Sequence, residues 1–345
     1  MARVGIIGGG AFGTAMACVL RRRGHEIRLW AREAEVVEAI NRDRVNSMFL
    51  RGVPLPEGIV ATQDMATAVH EAMFVLLAPP AQHMRAVTTR LRPHLTAGVP
   101  VVTCSKGLER GTSALMTQVL GETLPEAPAA VLSGPSFAAE IAEDRPTGVT
   151  LACAEPALGA QLARETGGPR FRAYLSDDVV GAQIGGVMKN VLAIACGIVT
   201  GKQLGNSMRA MLVARGLAET VDLGLALGAR LETFLGLSGI GDIDLSCNSP
   251  QSRNMSLGIA LGEGHRLAEV LGERITVQEG VHSAGAVAAL AGRLGVEMPI
   301  AAMVDRILNR GAAPDEEIGA LLALPFGVEQ AVVPWLRRGA KPSVD

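Results

Sequence analysis

Directly after the short apolar run Val4 to Ile7 stands Gly8-Gly9-Gly10-Ala11-Phe12-Gly13, a G-x-G-x-x-G match that opens a helical run from Thr14 to Arg22. No other feature restricts the fold so strongly, because each glycine position has its own steric task. Gly8 permits a tight turn off the strand, Gly10 lets the backbone approach a pyrophosphate, and Gly13 allows the helix to pack closely on the strand. The helix start, Ala11 included, then presents backbone N–H groups and a favourable dipole to phosphate. In this position the match points to a dinucleotide site, the alternative being a tight glycine turn without a ligand.

The remaining first half repeats the theme. Ile27 to Trp30, Phe74 to Leu77, Val99 to Thr103 and Ala130 to Leu132 read as strands separated by helical patterns, and Thr147 to Cys153 and Phe171 to Tyr174 add candidates at the sheet edge. Such alternation predicts βαβ units and a mostly parallel sheet of the Rossmann type. After Asp177 only helical periodicity is found, with dense Gly and Ala and sparse Pro, which suits closely packed helices. The expected class is therefore α/β: an N-terminal Rossmann domain, residues 1–178, followed by an all-α substrate domain, residues 179–345.

Composition narrows the partners. A chain of 345 residues that is 48% hydrophobic and 19% charged, with a net charge of −2, can bury two cores and has no basic footprint for nucleic acid or an anionic membrane. Cys18, Cys104, Cys153, Cys196 and Cys247 are scattered without a C-x-x-C pair, and the histidines lack ligand spacing, so no metal is expected. The Gly8–Gly10 cluster and Arg21-Arg22-Arg23 argue against a secretion signal, and the apolar run Val191 to Val199 is too short to cross a bilayer. A cytoplasmic protein without membrane insertion is expected, with a homodimer as a possible assembly.

The second strand ends Leu29-Trp30-Ala31-Arg32, with no acid at its tip. Arg32 can accept a ribose 2′-phosphate, so NADP is expected beside NAD. Among 32 Lys and Arg residues only Lys106, Lys189, Lys202 and Lys341 are lysine. A lysine retained against that bias suits a task arginine cannot perform, namely giving up a proton. Lys189 is the one charge between Asp178 and Lys202. It points away from the stripe Val187, Val191, Ile194 and Ile198 towards Gly185, Ala193 and Cys196, so desolvation should lower its pKa and make it a competent general acid. Lys106 follows a parallel strand and should line the cleft at its carboxyl end. The turn Leu132 to Ala138 offers Gly134 and Ser136 in a similar place. Asp242 ends an uncharged stretch and is a candidate partner for a buried lysine. Ser252-Arg253-Asn254 opens a further helix with the donors a phosphate needs, although an N-cap explains Ser252 alone.

These pieces, in this order, resemble the bacterial NAD(P)-dependent glycerol-3-phosphate dehydrogenases. The resemblance rests on G-x-G-x-F-G, Ser105-Lys106-Gly107-Leu108-Glu109, Ser133-Gly134-Pro135-Ser136-Phe137-Ala138, Gly186-Val187-Met188-Lys189-Asn190-Val191, Gly239-Ile240-Gly241-Asp242, Ser252-Arg253-Asn254 and Val277-Gln278-Glu279-Gly280. It implies Lys189 as proton donor or acceptor, with Lys106, Gly134, Ser136, Asp242, Ser252, Arg253 and Asn254 around a phosphorylated substrate. Phe12, Arg32, Lys106, Ala138, Arg253, Val277 and Glu279 would contact the cofactor. Val281-His282-Ser283 and Asp244 depart from the family pattern. Two rivals are a β-hydroxyacid or ketopantoate-type reductase, which leaves Ser252-Arg253-Asn254 together with Lys106 unexplained, and a non-catalytic NAD(P) sensor, which has no use for Lys189.

Overall fold

A computed structural model describes residues 2–272 and 279–325. Its first half holds eight strands: β1 Arg3–Ile7, β2 Glu26–Trp30, β3 Ile59–Thr62, β4 Phe74–Leu77, β5 Val101–Thr103, β6 Ala129–Ser133, β7 Thr147–Cys153 and β8 Phe171–Ser176. They form one sheet in the order β3-β2-β1-β4-β5-β6-β7-β8. All neighbours are parallel except β6 and β7, which are antiparallel. The chain reverses its direction of growth between β1 and β4, and that switch point opens the crevice where sheets of this kind bind ligands.

Three local expectations need correction. β3 is absent from the sequence reading because it is only four residues long, keeps Val60 exposed, and follows a loop broken by Pro54, Pro56 and Gly58. The run from Val99 contributes only Val101–Thr103, since Val99 N donates to Thr96 O in a turn and Pro100 has no N–H to add to a ladder. The glycine-loop helix starts at Ala11, not Thr14.

Beyond Ser176 every regular element among the described residues is helical. The axis of this half is Val179–Gly201, a helix of 23 residues with apolar side chains on nearly all sides. It contains the run Val191 to Val199 and, by length and composition, could cross a membrane; most of it is buried inside the fold. Small residues allow unusually close neighbours: a Cβ on Gly197 would lie 2.2 Å from Met255 O, and one on Gly258 2.2 Å from Ile194 O. The helix Arg253–Gly262 therefore packs backbone to backbone against the central helix, which brings Ser252-Arg253-Asn254 towards Lys189.

Candidate active site

The first component is the glycine loop. Gly8 has φ +126°, and a Cβ there would come 2.8 Å from the Ala78 carbonyl, while one on Gly13 would lie 2.0 Å from Gly8 O. Both positions therefore demand glycine. Gly10 has no neighbour within 4 Å of where its Cβ would be, so one face of the loop is open. Ala11 and Phe12 are half-buried at the start of the helix Ala11–Arg22, whose first turn carries neither an acid nor a side-chain cap and leaves its N–H groups for a ligand. Asn46 holds the loop from outside: its buried Nδ2 donates to Gly9 O and Thr14 Oγ1, each at 2.8 Å. Nothing in the sequence signals this residue, because its partners lie more than thirty positions away.

The second component is an ionic cluster. Lys106, just beyond β5, donates from Nζ to Asp242 Oδ2 at 2.5 Å and to Gly134 O at 2.8 Å. Lys189 Nζ stands 3.6 Å from Asp242 Oδ1 and donates to Ser246 Oγ at 3.1 Å. Asp242 is 1% exposed, against 15% for Lys106 and 16% for Lys189. One carboxylate thus balances two ammonium groups, and Arg253 adds further positive field. The cluster attracts an anion. Burial pushes the Lys189 pKa below that of an ordinary lysine; Asp242 opposes the shift, while Lys106 and Arg253 assist it.

Close packing delivers these groups. A Cβ on Gly185 would fall 1.9 Å from Ser238 O, so the central helix touches the kinked turn Leu237–Gly241 that leads into Asp242. Gly134, with φ +135°, accepts from Ser136 Oγ at 2.8 Å as well as from Lys106. Asn190 Nδ2 donates to Lys106 O at 3.0 Å, Asn254 Nδ2 to Asn190 Oδ1 at 2.8 Å, and Gly280 N to Asn254 Oδ1 at 3.3 Å. This chain joins the sheet edge to three helices. Ser252 Oγ caps Arg253–Gly262 by accepting from Met255 N. The sequence reading missed Ser246, although its spacing of four from Asp242 places both on one helical face.

A third group lies towards the glycine loop. Ala81 N donates to Glu279 Oε1 at 3.0 Å, whereas Glu279 Oε2 and the buried Ser283 Oγ have no hydrogen-bond partner. Both face Gly107, whose Cβ would lie 3.2 and 3.6 Å from them. Burial raises the Glu279 pKa to about 7, against the opposing effects of the Ala81 N–H and Arg253. An open glycine loop, uncapped helix N–H groups and orphaned buried acceptors together fit a dinucleotide. Ala138 is half-buried at the head of the helix Ala138–Ala142. Arg32 stands apart from the lysines, exposed at the tip of β2 and paired with Glu33. Val277 lies outside the described residues.

Residues 3–159 match the family model for the NAD-dependent glycerol-3-phosphate dehydrogenase N-terminus, and residues 178–319 that for its C-terminus. Two similar relatives are named glycerol-3-phosphate dehydrogenase (NAD(P)+). The one from Parvibaculum lavamentivorans is 54% identical over 95% of this chain and 98% of its own length. The one from Rhodospirillum rubrum is 54% identical over 94% and 93%. A crystal structure of glycerol-3-phosphate dehydrogenase from Coxiella burnetii superposes with a TM-score of 0.90 at 37% identity, covering 93% of this chain and 99% of that one. Sheet, glycine loop and the lysine pair on a buried aspartate define a nucleotide-dependent dehydrogenase. Within that class, the chain belongs to the NAD-dependent glycerol-3-phosphate dehydrogenase family.

Proposed function

We infer that this chain is an NAD(P)-dependent glycerol-3-phosphate dehydrogenase, interconverting dihydroxyacetone phosphate and sn-glycerol 3-phosphate. The observation that carries the mechanism is the buried Asp242 shared by Lys106 and Lys189 at the carboxyl edge of the sheet. When bound, the nicotinamide supplies or accepts the hydride at C2. In ketone reduction Lys189 Nζ gives its proton to the C2 oxygen, and in alcohol oxidation it takes that proton back. A lowered pKa eases both transfers. Asp242 orients Lys189 and, with Lys106, fixes the charge balance before substrate arrives, so little reorganisation is needed during reaction.

Arg253 and Asn254 hold the substrate phosphate with Ser252, while Gly134 and Ser136 line the opposite wall. Gly8, Gly10, Ala11, Phe12 and Gly13 hold the pyrophosphate side of NAD or NADP. Lys106, Ala138, Arg253 and Glu279 serve its nicotinamide side, and Arg32 reads the 2′-phosphate. We divide the chain near residue 178, where Asp178 Oδ1 accepts from Gly181 N and caps the central helix, into a dinucleotide domain and a substrate domain. Burial of the central helix supports the reading that it does not enter a membrane, and the proposed reaction, carried out in the cytoplasm, would supply glycerol 3-phosphate for phospholipid synthesis. Tyr174 and Leu175, more than half exposed on the edge strand β8, favour a homodimer.

The test follows NADPH absorbance with dihydroxyacetone phosphate, dihydroxyacetone and ketopantoate. Only the first should turn over efficiently, and Arg253→Ala should raise its KM by roughly ten- to a hundred-fold, the effect of losing one charge-assisted contact. Equal turnover of the unphosphorylated ketone would overturn the phosphate assignment.

A further inference from the structure

At the tip of β2 the Arg32 guanidinium already has an anionic partner. Its Nε and Nη2 both donate to Glu33 Oε1, at 2.9 and 2.6 Å. The Arg32 side chain is 74% exposed and that of Glu33 only 21%, so the carboxylate is the more enclosed member of the pair. Their backbone is fixed against the glycine loop. Gly8 N donates to Trp30 O at 3.0 Å, a Cβ on Gly9 would fall 2.5 Å from Ala31 Cβ, and Gln63 Nε2 donates to Arg32 O at 2.8 Å. Glu33 heads the helix Ala34–Asp43, yet its side chain makes no capping hydrogen bond. It lies about 20 residues beyond Gly13, the distance at which dinucleotide folds place the acid that meets the adenosine ribose.

We propose that Glu33 is a specificity-determining residue: it competes with the 2′-phosphate of NADP for the Arg32 guanidinium and so sets the balance between NADP and NAD. The proposal rests on Arg32 as the 2′-phosphate reader. A dianionic phosphate arriving at Arg32 must displace or share a contact that Glu33 holds, and it does so a few ångströms from a like charge. NAD brings only a neutral hydroxyl, which leaves the pair intact and can donate to the carboxylate. The intact pair therefore penalises NADP selectively, and Arg32 repays the penalty when it exchanges one anion for another.

The experiment measures Kd for NADPH and NADH by nicotinamide fluorescence, without substrate, in the wild type, Glu33→Gln, Arg32→Ala and the double variant. Gln keeps the shape of the side chain and removes its charge. Glu33→Gln should tighten NADPH by roughly five- to ten-fold, as expected when the guanidinium no longer has to give up a charge-assisted contact to receive the phosphate, while NADH stays within about two-fold. In the Arg32→Ala background the same substitution should lose most of that gain. If Glu33→Gln leaves NADPH unchanged, or tightens both cofactors alike, the competition is overturned even where Arg32→Ala weakens NADPH alone. If Arg32→Ala shifts NADPH and NADH equally, the reading of Arg32 itself fails.

Discussion

One carboxylate serves two ammonium groups in this molecule, and the imbalance governs the chemistry of Lys189. Burial lowers its pKa and Asp242 limits the fall, so the group changes charge more readily than a surface lysine. The sign of the pH dependence follows from the direction of reaction. With Lys189 as the proposed acid, ketone reduction draws on its protonated form and should slow as pH rises through the Lys189 pKa; alcohol oxidation then draws on the neutral amine and should speed up over the same range. Both limbs should lie below the pH at which free lysine titrates. Lys189→Arg keeps a positive charge that cannot be surrendered, so kcat should fall by ~10² to 10⁴ and both limbs should vanish while NADPH still binds. Retention of more than about a tenth of wild-type kcat would transfer the acid role elsewhere, with Lys106 the next group to test.

At the scale of elements, the site depends on backbones touching. Gly185 lets the central helix approach the turn that carries Ser238 and leads to Asp242. Gly185→Ala places a methyl 1.9 Å from Ser238 O, where no side-chain rotation can relieve the clash. Overpacking of this kind costs about 1 to 3 kcal/mol. Because the turn must give way, Asp242 should also lose its register with Lys189. The expected result is a lower Tm together with a reduced kcat and a nearly unchanged NADPH Kd. Thermal unfolding beside steady-state kinetics checks this, and unaltered kcat at lower Tm would assign the glycine to stability alone. Helical periodicity made the central helix legible and showed Lys189 on its less hydrophobic side. That Gly185 meets a carbonyl is invisible in the sequence, since the contact joins segments more than fifty residues apart.

Across the whole molecule, a buried acid outside the active site ties two helices of the second half together. Glu219, on Gly205–Ala226, accepts from Ile300 N at 2.7 Å and Ala301 N at 3.1 Å at the head of Pro299–Asn309. Burial raises its pKa to about 7, although the two N–H groups and Arg215 oppose the shift. Its folded pKa lies above the unfolded value, so its contribution to stability is complete below the ordinary glutamate pKa of about 4.5 and is lost as pH rises towards 7. Glu219→Gln does not titrate there. The difference in Tm between wild type and variant should therefore move against the wild type from pH 5 to pH 8, as measured by calorimetry across that range. A constant difference would mean that Glu219 stays in one protonation state.

Local and periodic features were legible in the sequence: the glycine fingerprint and its helix, most strands, the change to an all-helical second half, and the few lysines in a chain rich in arginine. Short-range sterics and apolar periodicity act within one or two turns of chain, so they are written in neighbouring residues. Tertiary structure decided what those residues meet. It inserted the marginal strand β3 at the sheet edge, set Asn46 on the glycine loop, gave Lys189 both Asp242 and Ser246, and closed Arg32 onto Glu33. Most of these pairings depend on burial and on distances between segments far apart in the chain. Even the adjacent Arg32 and Glu33 owe their place beside the dinucleotide loop to the pairing of β1 with β2, an arrangement that exists only once the sheet has formed.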